Sequence, residues 1–287
     1  MFEGFDLGYA ELADTTVRYR VGGAGTPVVL LHGHPRTHTT WHAVAARLAP
    51  HHTVVCPDLR GYGRSTAPPD TPDHAQASKR AMAGDVVALM ASLGHDRFAV
   101  AGHDRGGPVA FRAAMDHPGK VERLVVMDSL PLIEHVERTD ARFARAWWHW
   151  WFLGQTDKPA ERVINRDPEA WYATPSPEAM GPQNHADVWA ALRDPAVVHA
   201  MAEDYRAGLG IDVEHDAADR EAGRRVACPM LLLESAGDDL DIHGDPARIW
   251  APWVAGPVRH HVIASGHHQA EEAPQEVAEA LLGFLRG

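Results

Sequence analysis

Gly102-His103-Asp104-Arg105-Gly106 stands between a short apolar run, Phe98 to Ala101, and a helical pattern over 107–117. Glycines two positions before and two after Asp104 permit a tight strand-to-helix turn, and such a turn projects its middle side chain above the sheet. An aspartate in that place also suits a helix N-cap, so the pentapeptide alone carries two readings. The rest of the chain separates them.

Working outward, the same arrangement recurs. Thr15 to Val21 and Pro27 to Leu31 read as strands, the second ending in His32-Gly33-His34-Pro35. Thr53 to Cys56 runs into Pro57-Asp58-Leu59-Arg60-Gly61-Tyr62-Gly63, and Leu124 to Met127 ends at Asp128. Met230 to Leu233 ends near Gly237-Asp238-Asp239, and Val258 to Ile263 leads to Gly266-His267. Helical patterns over 40–49, 79–93, 107–117, 245–254 and 273–285 lie between them. Strands alternating with helices predict an α/β class, a mostly parallel sheet covered by helices on both faces. In such sheets chemistry gathers at the carboxyl ends of strands, where nearly every unusual cluster of this chain falls.

One interval breaks the alternation. From 131 to 216 the pattern is helical, and Trp147, Trp148, Trp150, Trp151, Trp171 and Trp189 sit in it, six of the nine tryptophans. This concentration predicts an apolar helical cap inserted after the strand ending at Asp128. The expected organisation is therefore a core of 1–130 and 217–287 with a cap of 131–216.

Composition narrows the function. With 287 residues, the length suits one large domain with an insertion. Asp and Glu outnumber Lys and Arg 39 to 27, a net charge of −12, which repels nucleic-acid backbones and anionic lipid. An anionic substrate must then be captured by a local cation. The two cysteines, Cys56 and Cys228, lie in apolar runs and exclude a disulfide framework. No membrane-length apolar stretch and no basic leader are evident, so a cytoplasmic location is expected. Twenty histidines invite a metal, with His32, His34 and His38 closely spaced. Ligand-motif spacings are missing, and His32-Gly33-x-Pro35 reads better as an oxyanion loop. Neither a metal nor another cofactor is expected.

Taken together, an aspartate on the turn, an acid after a later strand and His267 before the last helix follow the chain order of the α/β-hydrolase superfamily, which this sequence resembles over nearly its whole length. Aspartate in place of serine resembles the branch of haloalkane dehalogenases, haloacetate dehalogenases and epoxide hydrolases. Trp148-His149-Trp150-Trp151-Phe152-Leu153 and Glu203-Asp204-Tyr205-Arg206-Ala207-Gly208 look like fluoroacetate dehalogenases in particular. That resemblance implies halide binding by His149, Trp150 and Tyr205, pairing of a substrate carboxylate by Arg105, and a homodimer. The family usually has a second arginine three residues after the first; here Pro108 stands there, and Arg36 is the candidate substitute.

The chemistry asks for these residue types. An ionised carboxylate needs no base to attack a carbon bearing a leaving group, and the product is an ester with the enzyme. Water must then attack the ester, with His267 taking its proton and a second carboxylate orienting the ring. Asp128 is the expected partner, matching the resembled family, with Asp238 or Asp239 as the alternative. Backbone amides of His34 and Arg105 are placed to stabilise the oxyanion. The expected activity is hydrolytic dehalogenation of a small 2-haloacid, with water as co-substrate. The alternative is epoxide hydrolysis with Tyr205 as acid; a non-catalytic binding protein is the third reading.

Overall fold

The computed structural model describes residues 1–157, 159–173 and 175–286. Eight strands form one sheet: β1 (Phe5–Glu11), β2 (Thr16–Gly22), β3 (Thr26–Leu31), β4 (His52–Pro57), β5 (Phe98–His103), β6 (Val121–Met127), β7 (Met230–Ser235) and β8 (Val258–Ile263). Their order is β1-β2-β4-β3-β5-β6-β7-β8, and β2 alone runs against the others. The α/β expectation therefore holds.

Side-chain alternation assigns the two faces. Val28 and Leu30 join one apolar cluster, with Val54, Cys56, Ala99 and Ala101; Val29 and Leu31 join the other, with Val55, Phe98 and Val100. Strands buried on both faces read as unbroken apolar runs, which is why β3 and β5 are legible in the sequence. β1 escaped that reading. It is a sheet edge whose pattern alternates with Gly8 at its middle, and it leaves Leu7 and Tyr9 exposed.

Helices from Leu132 to Glu221 intervene between β6 and β7. The expected return to the core at 217 falls inside one of them, Ile211–Glu221. Phe143, Trp147, Trp150, Leu153 and Tyr205 form an apolar cluster of their own there. The tryptophans do not act alike: Trp189 packs into the cluster beneath the sheet, and Trp148 is exposed. Cys56 is buried, Cys228 is half-buried, and both are free thiols. No described helix is long and apolar enough to cross a membrane.

Candidate active site

β5 lies at the centre of the sheet, and its carboxyl end turns directly into the helix Gly106–Asp116. Asp104, at the apex, has φ +51°, a left-handed conformation that costs a non-glycine residue free energy. The flanking glycines make the turn possible. A Cβ at Gly106 would lie 2.5 Å from the carbonyl oxygen of His32, and one at Gly102 would strike the backbone of Gly106. Asp104 thus sits on a strained elbow whose neighbours exclude any side chain, which favours the nucleophile reading over the helix cap.

The carboxylate is held from one side. The His34 backbone N–H donates to Oδ1 at 2.7 Å, and the Arg105 backbone N–H donates to the same carboxylate. Gly33 is needed for this approach, because a Cβ there would come within 2.8 Å of the Arg105 amide nitrogen. Oδ2 faces Nε2 of His267 at 3.7 Å. Burial works to raise the Asp104 pKa, but the contact with His267 and the Arg105 amide outweigh it and hold the group well below the usual carboxylate range. Asp104 is therefore ionised.

His267 lies between carboxylates. Its Nδ1–H donates to Asp238 Oδ2 at 2.7 Å, whereas Asp128 Oδ2 is 3.9 Å away. The expectation that Asp128 is the hydrogen-bond partner is corrected here. Asp128, at φ +43°, instead accepts from the Ser235 N–H at 2.7 Å and from the Ser235 hydroxyl. Because its oxygens are taken up by Ser235, the ring turns to the next strand end. Burial pushes the Asp128 carboxyl up to about 6, against the pull of His267 and Ser235. Burial of His267 opposes its charge, yet Asp104 and Asp238 outweigh that and hold it well above the usual histidine range.

A cavity of about 600 Å³ opens over these groups, lined by His34, Asp104, Trp147, His149, Asp238 and His267, with Tyr205 and Asp239 among its other walls. Burial lowers His149 to about 4, so it is a neutral ring, and burial raises Tyr205 so that its hydroxyl keeps its proton. Trp150 is beside the cavity, its ring 6.0 Å from that of Tyr205, and its Nε1 is buried without a hydrogen-bond partner among the described residues. The structure thus brings His149, Trp150 and Tyr205 together.

The two arginines behave differently from expectation. Arg36 is buried and gives Nε and Nη2 to Glu271 at 3.0 and 3.2 Å, so it is an internal ion pair; the expectation that it substitutes as a substrate clamp is corrected. Glu271, on the short helix after His267, outcompetes the site for it. Arg105 packs its guanidinium over Tyr205, 4.3 Å from the ring centroid, and gives Nε and Nη2 to Asp204. Its Nη1 is buried with no partner among the described residues.

His32 and His38 are structural. His32 donates from Nδ1 to the Gly33 carbonyl and accepts the Leu59 N–H at Nε2, and His38 pairs with Asp58. Atoms of His103, Asp128 and His267 lie within 4.8 Å of one another, a spacing a metal could use. His103 Nε2 donates to the His267 carbonyl, and Asp128 accepts from Ser235. Asp204, Lys79 and Tyr62, which meet behind Arg105, are marked out by no local pattern in the sequence.

A family model described as alpha/beta hydrolase fold matches residues 26–176. A fluoroacetate dehalogenase of a Burkholderia species is 40% identical over 99% of this chain and 95% of the relative. A soluble epoxide hydrolase of Corynebacterium sp. (strain C12) is 32% identical over 94% and 93%. Among solved structures, one from Nostoc sp PCC 7120 superposes with a TM-score of 0.95 at 38% identity, covering 99% of each chain. A variant of a Pseudomonas aeruginosa protein, provisionally named an epoxide hydrolase and carrying bound MFA, gives 0.90 at 41% identity over 99% and 97%.

Proposed function

Since the chain belongs to the α/β-hydrolase family, we propose that it hydrolyses the carbon–halogen bond of a small 2-halocarboxylic acid through an aspartyl ester at Asp104. Oδ2 attacks the carbon bearing the halogen; a carbon–oxygen bond forms, and the halide leaves with the bonding electrons. Oδ1 becomes the ester carbonyl oxygen, already held by the His34 amide, with the Arg105 amide beside the same carboxylate; both suit the oxyanion of the second step. Water attacks that carbonyl carbon, His267 takes its proton, and the 2-hydroxy acid departs. Asp238 orients the imidazole and stabilises its charged form.

The observation that carries this reading is a set of donors left without partners. A buried unpaired N–H costs about 1–3 kcal/mol, so Trp150 Nε1 and Arg105 Nη1, buried behind the Tyr205 wall of the cavity, favour an electronegative group close by. His149 and Tyr205 add N–H and O–H donors on the cavity wall. Fluoride, a poor leaving group, needs several such donors at once.

Epoxide hydrolysis is the second reading, favoured by the Corynebacterium relative and by Asp238 and Asp239 in the cavity wall, which repel an anion. Its ring opening needs hydroxyl acids, and Tyr172, the other cap tyrosine beside His34, directs its hydroxyl to Met201 Sδ at 3.7 Å. Chloroacetate and styrene oxide offered separately distinguish the two. The expected result is chloride and glycolate from the first with diol formation at least tenfold slower from the second; diol formation alone would reverse the assignment.

The two acids near His267 make a further prediction. Asp238→Asn lowers kcat by roughly 10²-fold or more, since it removes the charge that stabilises the imidazolium and can turn an amide N–H toward Nδ1, admitting the wrong tautomer. Asp128→Asn costs less than tenfold. Steady-state kinetics on both variants checks this, and the opposite ranking would restore Asp128 as the orienting acid.

A further inference from the structure

Arg105 is the arginine nearest Asp104 in sequence, yet its charge is not free. Asp204, fully buried, takes Nη2 at 2.8 Å and Nε at 3.2 Å on its carboxylate, and its carbonyl oxygen takes Nη2 again at 2.8 Å. An arginine–carboxylate pair has no net charge, and such a pair attracts an anion only through its dipole. Pro108, three residues on, is buried in the first turn of its helix and supplies no charge. Capture of a carboxylate in a chain of net charge −12 therefore needs another cation.

Lys79 supplies one. It is the first residue of the helix Lys79–Ser92, 2% exposed, and its ammonium donates to Asp204 Oδ1, while the Tyr62 hydroxyl donates to Oδ2 at 2.6 Å. Neither Lys79 nor Arg105 lines the cavity; Arg105 lies directly behind its wall, over the Tyr205 ring. We propose that Lys79, acting through Asp204, sets the preference of Arg105 for anionic substrates. Asp204 bonded to two cations leaves the three groups with a net charge of +1, and the free Nη1 presents that charge beside Tyr205 and Trp150. Burial and the Arg105 guanidinium push the ammonium well below the usual lysine range, against the weaker pull of Asp212 and Asp104; it is the touching Asp204 carboxylate that keeps the proton on Lys79. An arriving carboxylate adds to the groups that favour the charge. Gly208 leaves room for this geometry, because a Cβ there would lie 2.6 Å from Nη2. Lys79 is thus a positioning and specificity residue that supplies charge through Asp204 without touching substrate.

The inference rests on the haloacid reading, and its test is chosen to fail separately. Chloroacetate and chloroacetamide carry the same carbon–chlorine bond at nearly the same size, one charged and one neutral. Lys79→Met raises KM for chloroacetate roughly tenfold, with kcat within threefold and chloroacetamide kinetics changed less than threefold. Lys79→Gln, which keeps a hydrogen-bond donor but no charge, behaves like the methionine variant. Glycolate binding, followed by tryptophan fluorescence, weakens by the same factor in both variants and gives an answer even if chloroacetate is not turned over. Equal losses on the neutral and charged substrates, or glycolate affinity equal to that of the unaltered protein, would overturn the role of Lys79. Unaltered protein that binds glycolate but spares chloroacetate would overturn only the haloacid reading.

Discussion

Asp104→Asn abolishes turnover, lowering kcat by roughly 10⁴-fold or more, with the fold intact. Asparagine keeps the shape of the side chain and can still accept the His34 amide at its carbonyl oxygen. What it loses is the negative charge and the oxygen proposed as nucleophile, Oδ2, so the proposed step that breaks the carbon–halogen bond has no attacking group. Losses of that order accompany removal of one member of a catalytic constellation elsewhere. The same substitution has a second readout. Asp104 is one of the two carboxylates that keep His267 charged, so the histidine's titration moves down in the variant. Chloride release and an NMR titration of His267 check the two effects together. A variant retaining more than a hundredth of the activity would show that Asp104 is not the nucleophile.

His267→Asn separates the two halves of the reaction. The first half needs no base, because Asp104 is ionised already. Esterification then removes the negative charge 3.7 Å from Nε2, and the imidazole, no longer held between two carboxylates, gives up its proton and becomes a base when water must be activated. Without the ring, one equivalent of halide is released in a burst, and the ester accumulates. Steady-state turnover falls roughly 10³-fold or more, while mass spectrometry finds the chain heavier by the carboxyalkyl group of the substrate. A full loss of the burst would mean that His267 acts before or during carbon–halogen cleavage.

Much of this was legible because the chemistry and the backbone agree at the same residues. Gly102 and Gly106 have no freedom to be anything larger, and β3 and β5 are buried on both faces, so the elbow and its strands left clear marks in the sequence. Asp104 and His267 are in contact as the order of motifs led one to expect. The failures are also physical. Asp128 sits at the end of its strand, but Ser235, on a strand more than 100 residues later, takes up both of its oxygens. Arg36 lies two residues from His34 and is captured by Glu271, distant in sequence. Asp204, Lys79 and Tyr62 come from three separate segments, and only folding reveals that they share one carboxylate. Partner choice among buried charges depends on tertiary contacts, and no local pattern encodes it.

The most direct test of an ester on Asp104 is a single turnover, enzyme in excess over substrate, in heavy-oxygen water, followed by mass analysis of the peptide containing residues 102–106 and of the released hydroxy acid. Attack of water on the ester carbonyl predicts that the heavy oxygen enters the Asp104 carboxylate and that the first product molecule carries ordinary oxygen. Heavy oxygen in the product, with the Asp104 peptide unlabelled, would mean that water attacks the substrate directly and would contradict the account.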